Sequence, residues 1–312
     1  MTRRGGRALE LGLNLPYVEE SMDGRTPRWP DILAMAQAAE AIGFDAIWVS
    51  DHVGFGDPGG EWKGAWESWT VLSALAATTS RVALGNYVLA VPFRNPALLA
   101  KMAETLDEVS GGRLILGLGA GWNEPEFTSY GVPFDDRFRR FEDGLRIITQ
   151  MLRGGSSTHD GHTIRSRSAR LQPRGPRPEG VPVMVGAGGP RMLGLTAELA
   201  DHWNGGLRTL DEVPERLAAL DDACRDVGRD PASLTRSVEV LVRTVAAPDG
   251  VGPEEREFRG DPDAIAAELL RFRDLGMDHL QVQLRPNSLE GIAAFEPVIE
   301  RLRAAQRQKT AT

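Results

Sequence analysis

Cysteine is almost missing from this 312-residue chain: Cys224 is the only one. A single thiol closes no internal disulfide and builds no Cys-rich metal site. Lysine is nearly as scarce. Lys63, Lys101 and Lys309 are the three, so Arg supplies nearly all of the 36 basic side chains. We read that skew as genome composition, not function. The five histidines are His52, His159, His162, His202 and His279, and none belongs to an HExxH pair. No metal site is therefore expected. No run of eighteen apolar residues occurs, and the basic stretch Met1–Arg7 has no apolar segment behind it. That excludes the sequence signature of a membrane-spanning helix or a secretory signal, and a cytoplasmic protein is expected. A net charge of −8 leaves no general basic face for nucleic acid. The nucleotide-binding fingerprints are missing too. Gly117-Leu118-Gly119-Ala120-Gly121-Trp122 and Gly186-Ala187-Gly188-Gly189-Pro190-Arg191 both fail GxGxxG at the sixth position, and there is no GxxxxGK[ST] loop.

What is present is a rhythm. Apolar residues make up 41% of the chain and charged residues 26%, which suits a large globular core. Short runs rich in Val, Ile and Leu alternate with helical patterns. Strands are expected over Leu9–Pro16, Ala46–Ser50, Val82–Val88, Leu114–Gly121, Val181–Ala187, His202–Gly206, Val238–Val245 and His279–Leu284. Helices are expected over Pro30–Ile42, Trp66–Thr79, Pro96–Val109, Asp136–Arg153, Arg191–Ala200, Asp211–Val227, Pro262–Leu275 and Ser288–Ala305. Eight β-then-α units in a row predict an α/β fold, a closed (β/α)8 TIM barrel, rather than an open doubly wound sheet. The whole chain, 1–312, is expected to be one domain. The stretch from Gly154 to Gly180, rich in Gly, Pro, Ser and Arg, breaks the rhythm. We expect an insertion near the barrel mouth there, with room for a small hairpin.

Barrels place their chemistry at the C-terminal ends of the strands. Strand two ends in Ser50, Asp51 and His52, and a histidine there can move a proton near neutral pH. On position alone, a cap by Asp51 with His52 lining a loop is an equal reading. Strand three ends near Asn86, Tyr87 and Val88. Strand four ends in Gly121, Trp122, Asn123 and Glu124, where Asn123 and Glu124 can hydrogen-bond a ring system or Glu124 can cap the next segment. Strand five runs through Gly186, Ala187, Gly188, Gly189, Pro190 and Arg191 into a helix start. Such a turn suits a phosphate, because glycine lets backbone approach closely and helix N-termini present free N–H groups. A tight turn needing glycine for its geometry explains the same residues. Asn204, Gly205 and Gly206 end strand six.

Longer stretches carry a resemblance. Gly43-Phe44-Asp45 with Ile47-Trp48-Val49-Ser50-Asp51-His52, then Asn95-Pro96-Ala97-Leu98-Leu99-Ala100-Lys101, Ser110-Gly111-Gly112-Arg113 and Gly117 through Glu124, are characteristic. Val185 through Met192, Ala200-Asp201-His202-Trp203-Asn204 and Gly276-Met277-Asp278-His279 continue the pattern. From residue 10 to 303 the chain resembles the luciferase-like monooxygenase superfamily, in its branch that uses the deazaflavin coenzyme F420. The resemblance implies a flavin-type cofactor, with Asp51 and His52 beside its ring and His52 as acid or base. It implies that Tyr87–Val88 can carry a non-proline cis peptide under the ring, that Asn123 touches the ring, and that Gly186–Arg191 and Asn204–Gly206 hold the phosphate. Glu124 is the second catalytic candidate. A small-molecule substrate and a homodimer are expected.

Two departures stand out. Asn86-Tyr87 replaces the usual Thr and small neighbour, and His162-Thr163-Ile164 lacks the usual aromatic after Gly161. The alternatives are an FMN-dependent monooxygenase fed by a separate reductase and a barrel that binds a cofactor without catalysis. Arg165, Arg167, Arg170, Arg174 and Arg177 crowd the insertion and suggest a hold on the polyglutamate tail of F420; a solvated loop explains them equally well.

Overall fold

A computed structural model describes residues 8–57, 59–246 and 256–310. The basic stretch Met1–Arg7 lies outside the described residues. Eight parallel strands form the frame: β1 (Glu10–Asn14), β2 (Ala46–Val49), β3 (Ala83–Asn86), β4 (Leu114–Gly119), β5 (Val183–Gly186), β6 (His202–Leu207), β7 (Thr235–Arg243) and β8 (His279–Arg285). Each pairs with its sequence neighbour. Two pairings prove closure: β1 lies on β8 with Leu11 opposite Leu280, and β4 lies on β5 with Leu118 opposite Val185. A sheet closed in this way has no edge.

The strands read as nearly continuous apolar runs because both faces are buried. Their outward face packs on helices α1 (Trp29–Ile42), α2 (Ser68–Thr78), α3 (Pro96–Ser110), α5 (Arg137–Gly154), α6 (Pro190–Leu199), α7 (Val213–Asp226), α8 (Pro262–Leu275) and α9 (Leu289–Thr310), while the short α4 (Glu124–Ser129) packs on the connection after β2 instead. Their inward face fills the bore. Trp48 lies across it, and its neighbours on both sides are glycines by necessity. A Cβ on Gly12 would come within 2.1 Å of the Trp48 indole nitrogen, and one on Gly85 within 2.0 Å of its six-membered ring. Trp48 Nε1 donates to His279 Nε2 (3.1 Å), which plugs the N-terminal half. Above it Asn204 donates to Ser237 Oγ (3.1 Å) and Gln281 Oε1 (2.9 Å). The bore is therefore closed below, and only its upper end is open for chemistry.

Four features differ from expectation. The β2–α2 connection folds into a hairpin, Gly54–Gly56 against Trp62–Gly64. α4 occupies a stretch with no helical signal long enough to read. Strand three stops at Asn86; Leu89 and Ala90 then lie on Leu118 and Gly119 of β4. β7 starts at Thr235, three residues early, because Thr235, Arg236 and Ser237 pair with His202, Trp203 and Asn204 while the Arg236 guanidinium bonds Asp221.

The insertion does form a hairpin, Ser156–Asp160 against Arg165–Arg170. It packs on α5, where Asp143 accepts from Thr163 N (2.7 Å) and Oγ1 (2.8 Å) and pairs with His159 Nε2 (3.0 Å). Burial alone would raise the Asp143 carboxyl; these partners outweigh it and hold it down at about 2. Arg174 bonds Glu104 (2.9 Å), and Arg177 bonds Asp107 and the carbonyl of Leu114, the first residue of β4. Those two arginines brace the N-terminal rim, the end opposite the mouth. They are not free to hold a cofactor tail.

Candidate active site

A cavity of about 510 Å³ opens at the C-terminal end of the barrel, with walls from the ends of β2 to β7. That volume suits a ring cofactor, since small-molecule pockets run to roughly 300–1,000 Å³.

His52 stands on its wall. Its Nδ1 lies 2.8 Å from Glu126 Oε2. Glu126 is 2% exposed and also accepts from the backbone N–H of Val53 (2.6 Å) and Gly54 (3.2 Å). Burial by itself pushes that carboxyl up; the His52 hydrogen bond, the His52 charge and the two backbone donors prevail and hold it below its ordinary value. A carboxylate only accepts, so Nδ1 carries a hydrogen and donates, which leaves Nε2 as the nitrogen free to exchange a proton. Phe55 (4.5 Å between ring centroids) and Trp122 (5.4 Å) hold the imidazole plane. The arrangement is a base with an orienting carboxylate behind it, able to take or give a proton at Nε2.

Asp51 has a different task. Arg94 grips it through two bonds (2.7 and 2.8 Å), and it also accepts from Ser68 Oγ (2.6 Å) and Ala90 N (2.9 Å). Arg94 in turn reaches Glu67 (2.6 Å), whose carboxylate caps α2 by accepting from Trp69 and Thr70. Asp51 thus ties the strand-three return to α2 and fixes the loop that carries His52. Asn86 is fully buried below and donates to Ser68 Oγ at 3.4 Å.

The floor is built from the end of β3. The Tyr87–Val88 peptide is cis. Val88 enters the gap above two glycines; a Cβ on Gly119 would lie 2.6 Å from it and one on Gly186 3.3 Å. Tyr87 Oη donates to Glu239 Oε2 (2.9 Å), and Asn14 Nδ2 donates to Glu239 Oε1 (2.9 Å). Burial raises the Glu239 carboxyl above its ordinary value, against the pull of those two donors.

Opposite His52 lies the α6 N-terminus. Gly188 lines the cavity, and a Cβ on Gly188 or Gly189 would meet nothing within 4 Å, so the backbone borders open space. The first N–H groups of a helix have no partner inside it and carry partial positive charge. Pro190 occupies the first turn, and Asn204 folds back to accept from Gly206 N (2.7 Å). Arg208 faces the same space, with its Nε buried and unpartnered.

The structure brings Asp51, His52, Tyr87, Val88, Gly186, Ala187, Gly188, Asn204 and Gly206 to this cavity. Others lie elsewhere. Asn86 sits beneath the floor. Asn123 is buried and donates to Gly54 O (3.2 Å), holding the hairpin. Gly189 and Pro190 stand outside the lining, and Arg191 turns outward with its guanidinium 3.9 Å over the Phe138 ring. Glu124 is a correction: it is exposed at the first position of α4, and Glu126, two residues on, points inward to His52. The stretch Asn123-Glu124-Pro125-Glu126 shows two carboxylates, and only the helix phase decides between them. Arg94, Arg208 and Glu239 were also missed. Glu239 left a trace, a carboxylate between Val238 and Val240 in an apolar strand.

The frame and its upper rim define a (β/α)8 barrel with a polar, glycine-lined cofactor-sized mouth. Within that class the chain belongs to the luciferase-like monooxygenase family, whose profile matches residues 9–250. It is 34% identical over 163 residues to the 5,10-methylenetetrahydromethanopterin reductase of Archaeoglobus fulgidus, a stretch that is 52% of this chain and 45% of that one. The match therefore spans less than half of that relative. It is 28% identical over 271 residues to an F420-dependent hydroxymycolic acid dehydrogenase of Mycobacterium tuberculosis, covering 86% of this chain and 69% of the other. Among solved structures, an F420-dependent secondary alcohol dehydrogenase bound to an F420–acetone adduct superposes with a TM-score of 0.78 over 95% of this chain and 99% of that one. Identity there is 20%, so that likeness is one of fold.

Proposed function

We propose that this protein is an F420-dependent oxidoreductase acting on a small organic substrate, with His52 as its acid–base residue. The observation that carries the reading is the bond from His52 Nδ1 to Glu126, which leaves Nε2 as the group facing a cavity of cofactor size. A 5,10-methylenetetrahydromethanopterin reductase and an F420-dependent hydroxymycolic acid dehydrogenase among its relatives support the reading.

The residues fit such a group. Gly188 and the α6 N-terminus offer an anion cradle free of side chains, Arg208 adds a cation, and Val88 with the glycines around it offers a flat floor. When bound, the deazaflavin supplies a ring carbon that gives or accepts a hydride. The chain must supply the matching proton transfer. In oxidation of an alcohol, His52 Nε2 takes the hydroxyl proton; in reduction, it returns one. Glu126 fixes the tautomer and balances the imidazolium. Phe55 and Trp122 pack against His52 and help to orient its ring.

The test is titration of purified apoprotein with F420 and with FMN, read by fluorescence. Binding of F420 in preference to FMN is expected. Preference for FMN favours the monooxygenase reading with a separate reductase, and binding of neither removes both.

A further inference from the structure

Glu239 is the least expected group in the barrel. It lies mid-strand in β7, opposite Gln281 of β8, on the inward face shared with Ser237. A carboxyl group in that place costs stability, because desolvation of the charge is expensive and an apolar side chain would fill the bore as well. The groups around it do not supply a counter-charge. Asn14 faces it from β1 and Tyr87 from the end of β3, both neutral donors. Gln281 gives its Oε1 to Asn204. Arg208 lines the cavity from the loop after β6 and touches Glu239 only through its backbone N–H (3.1 Å to the carbonyl). Tyr17, Asp51 and Glu126 stand in the wider surround on the β1 and β2 side. Each carboxyl oxygen uses one of its two lone-pair sites on Tyr87 or Asn14, and the remaining capacity faces the cavity, which Glu239 lines.

We propose that Glu239, backed by Tyr87, is the residue that recognises the pyrimidinedione edge of the ring cofactor, meeting its imide N–H and an adjacent carbonyl from the floor of the pocket. This rests on the reading that the cavity holds a deazaflavin or flavin. The chemistry matches: the edge alternates carbonyl, N–H, carbonyl, and a carboxyl group that keeps its proton offers one acceptor and one donor at the same spacing. Burial raises this carboxyl above its ordinary value and so acts in favour of the protonated form. Tyr87 can turn its hydroxyl to accept or donate as the proton's place requires.

The test compares wild type, Glu239→Gln and Glu239→Leu, titrated by fluorescence with F420 and with F420 methylated at N3 of the pyrimidinedione. Glu239→Leu should weaken F420 binding by roughly 10- to 100-fold, and Glu239→Gln, which keeps a donor and an acceptor, by no more than a few-fold. Methylation should weaken binding to wild type by about 10-fold and cost Glu239→Leu little, because the contact it blocks is already gone. Affinity of wild type should fall as pH rises through the raised carboxyl titration, and the Glu239→Gln profile should be flat over that range. Equal methylation penalties in wild type and Glu239→Leu would overturn the proposal. If Glu239→Leu fails to fold, pH profiles that coincide for wild type and Glu239→Gln overturn it instead. A wild type that binds neither form removes the cofactor reading beneath it.

Discussion

At the scale of single residues, the proton-handling unit we propose is His52 with Glu126, and its two halves are separable by experiment. His52→Ala removes the group that faces the substrate. We expect cofactor affinity within a few-fold of wild type and kcat lower by about 10²–10⁴, followed by cofactor absorbance once a substrate is in hand. Unchanged turnover would send the search to Tyr87 and Glu239. Glu126 acts through His52. Glu126→Gln keeps an oxygen for Val53 and Gly54 but no longer dictates which imidazole nitrogen carries the hydrogen. Its kcat loss should be smaller than that of His52→Ala, and the double variant should be no slower than His52→Ala alone. Additive losses would mean that Glu126 does something other than orient His52. Asp51 was legible in the sequence as a polar residue at a strand end. Its engagement by Arg94, 43 positions away, was not, because nothing local in either stretch marks the pair. Choosing between Glu124 and Glu126 required helix phase over a six-residue helix, which a single sequence does not supply.

At the scale of elements, the eight barrel strands and eight of the nine α-helices among the described residues were readable because burial on both faces leaves apolar runs and glycine or proline marks most boundaries. What escaped was set by distant partners. β7 begins early because β6 offers backbone partners to Thr235 and Ser237, whatever their polarity. The hairpin after β2 is short and is held by Glu126 and Asn123 from another segment. By composition the arginine-rich insertion suits a polyanion hold and a solvated loop equally well; in the fold Arg174 and Arg177 act as a brace, while Arg165, Arg167 and Arg170 are exposed on the hairpin. Asp107 is 1% exposed, so Arg177→Ala would strand a buried carboxylate, a loss of roughly 3–5 kcal/mol. A lower Tm in Arg177→Ala, with the dependence of F420 affinity on tail length unchanged, is the expected result; a tail-length effect with normal Tm would restore the earlier reading. The α6 N-terminus allows a cleaner separation of binding from folding. A Cβ at Gly188 would meet no atom within 4 Å beyond its chain neighbours, so Gly188→Val is expected to melt like wild type. It should nonetheless weaken cofactor binding by at least about 10-fold, since the added methyls enter the space where a phosphate approaches the backbone. Full affinity in the folded variant would make this loop a turn and nothing more.

At the scale of the whole molecule, the barrel keeps its polar groups at two ends, and the lower end governs how it meets acid. His202 begins β6 at the N-terminal rim, where the charges of Glu10 on β1 and His279 on β8 also reach it. Burial lowers the His202 imidazole to about 4; the charge of Asp201 pulls it back only in part. The folded state therefore binds this proton less readily than the unfolded chain, whose histidines titrate near ~6.5. Its contribution is present in full above that value and is lost as pH falls toward 4, on the order of 3 kcal/mol in all. Carboxylates act later and in the same direction. Asp143, held at about 2, and Glu10, Glu67 and Glu126, held below their ordinary values, keep their stabilisation until pH drops through the carboxylate range. Thermal melts at steps from pH 7.5 to 3 should thus show two acid-induced declines in Tm, the first between about 6.5 and 4 and worth several degrees. Replacing His202 with Gln removes the titrating ring and leaves Asp143, Glu67 and Glu126 with the partners that depress them; Glu10 keeps its chief partner, His279. In His202→Gln the first decline should flatten and the second should remain. If wild type and His202→Gln lose Tm in parallel between pH 6.5 and 4, the early acid sensitivity of the barrel arises from a group other than the histidine at its base.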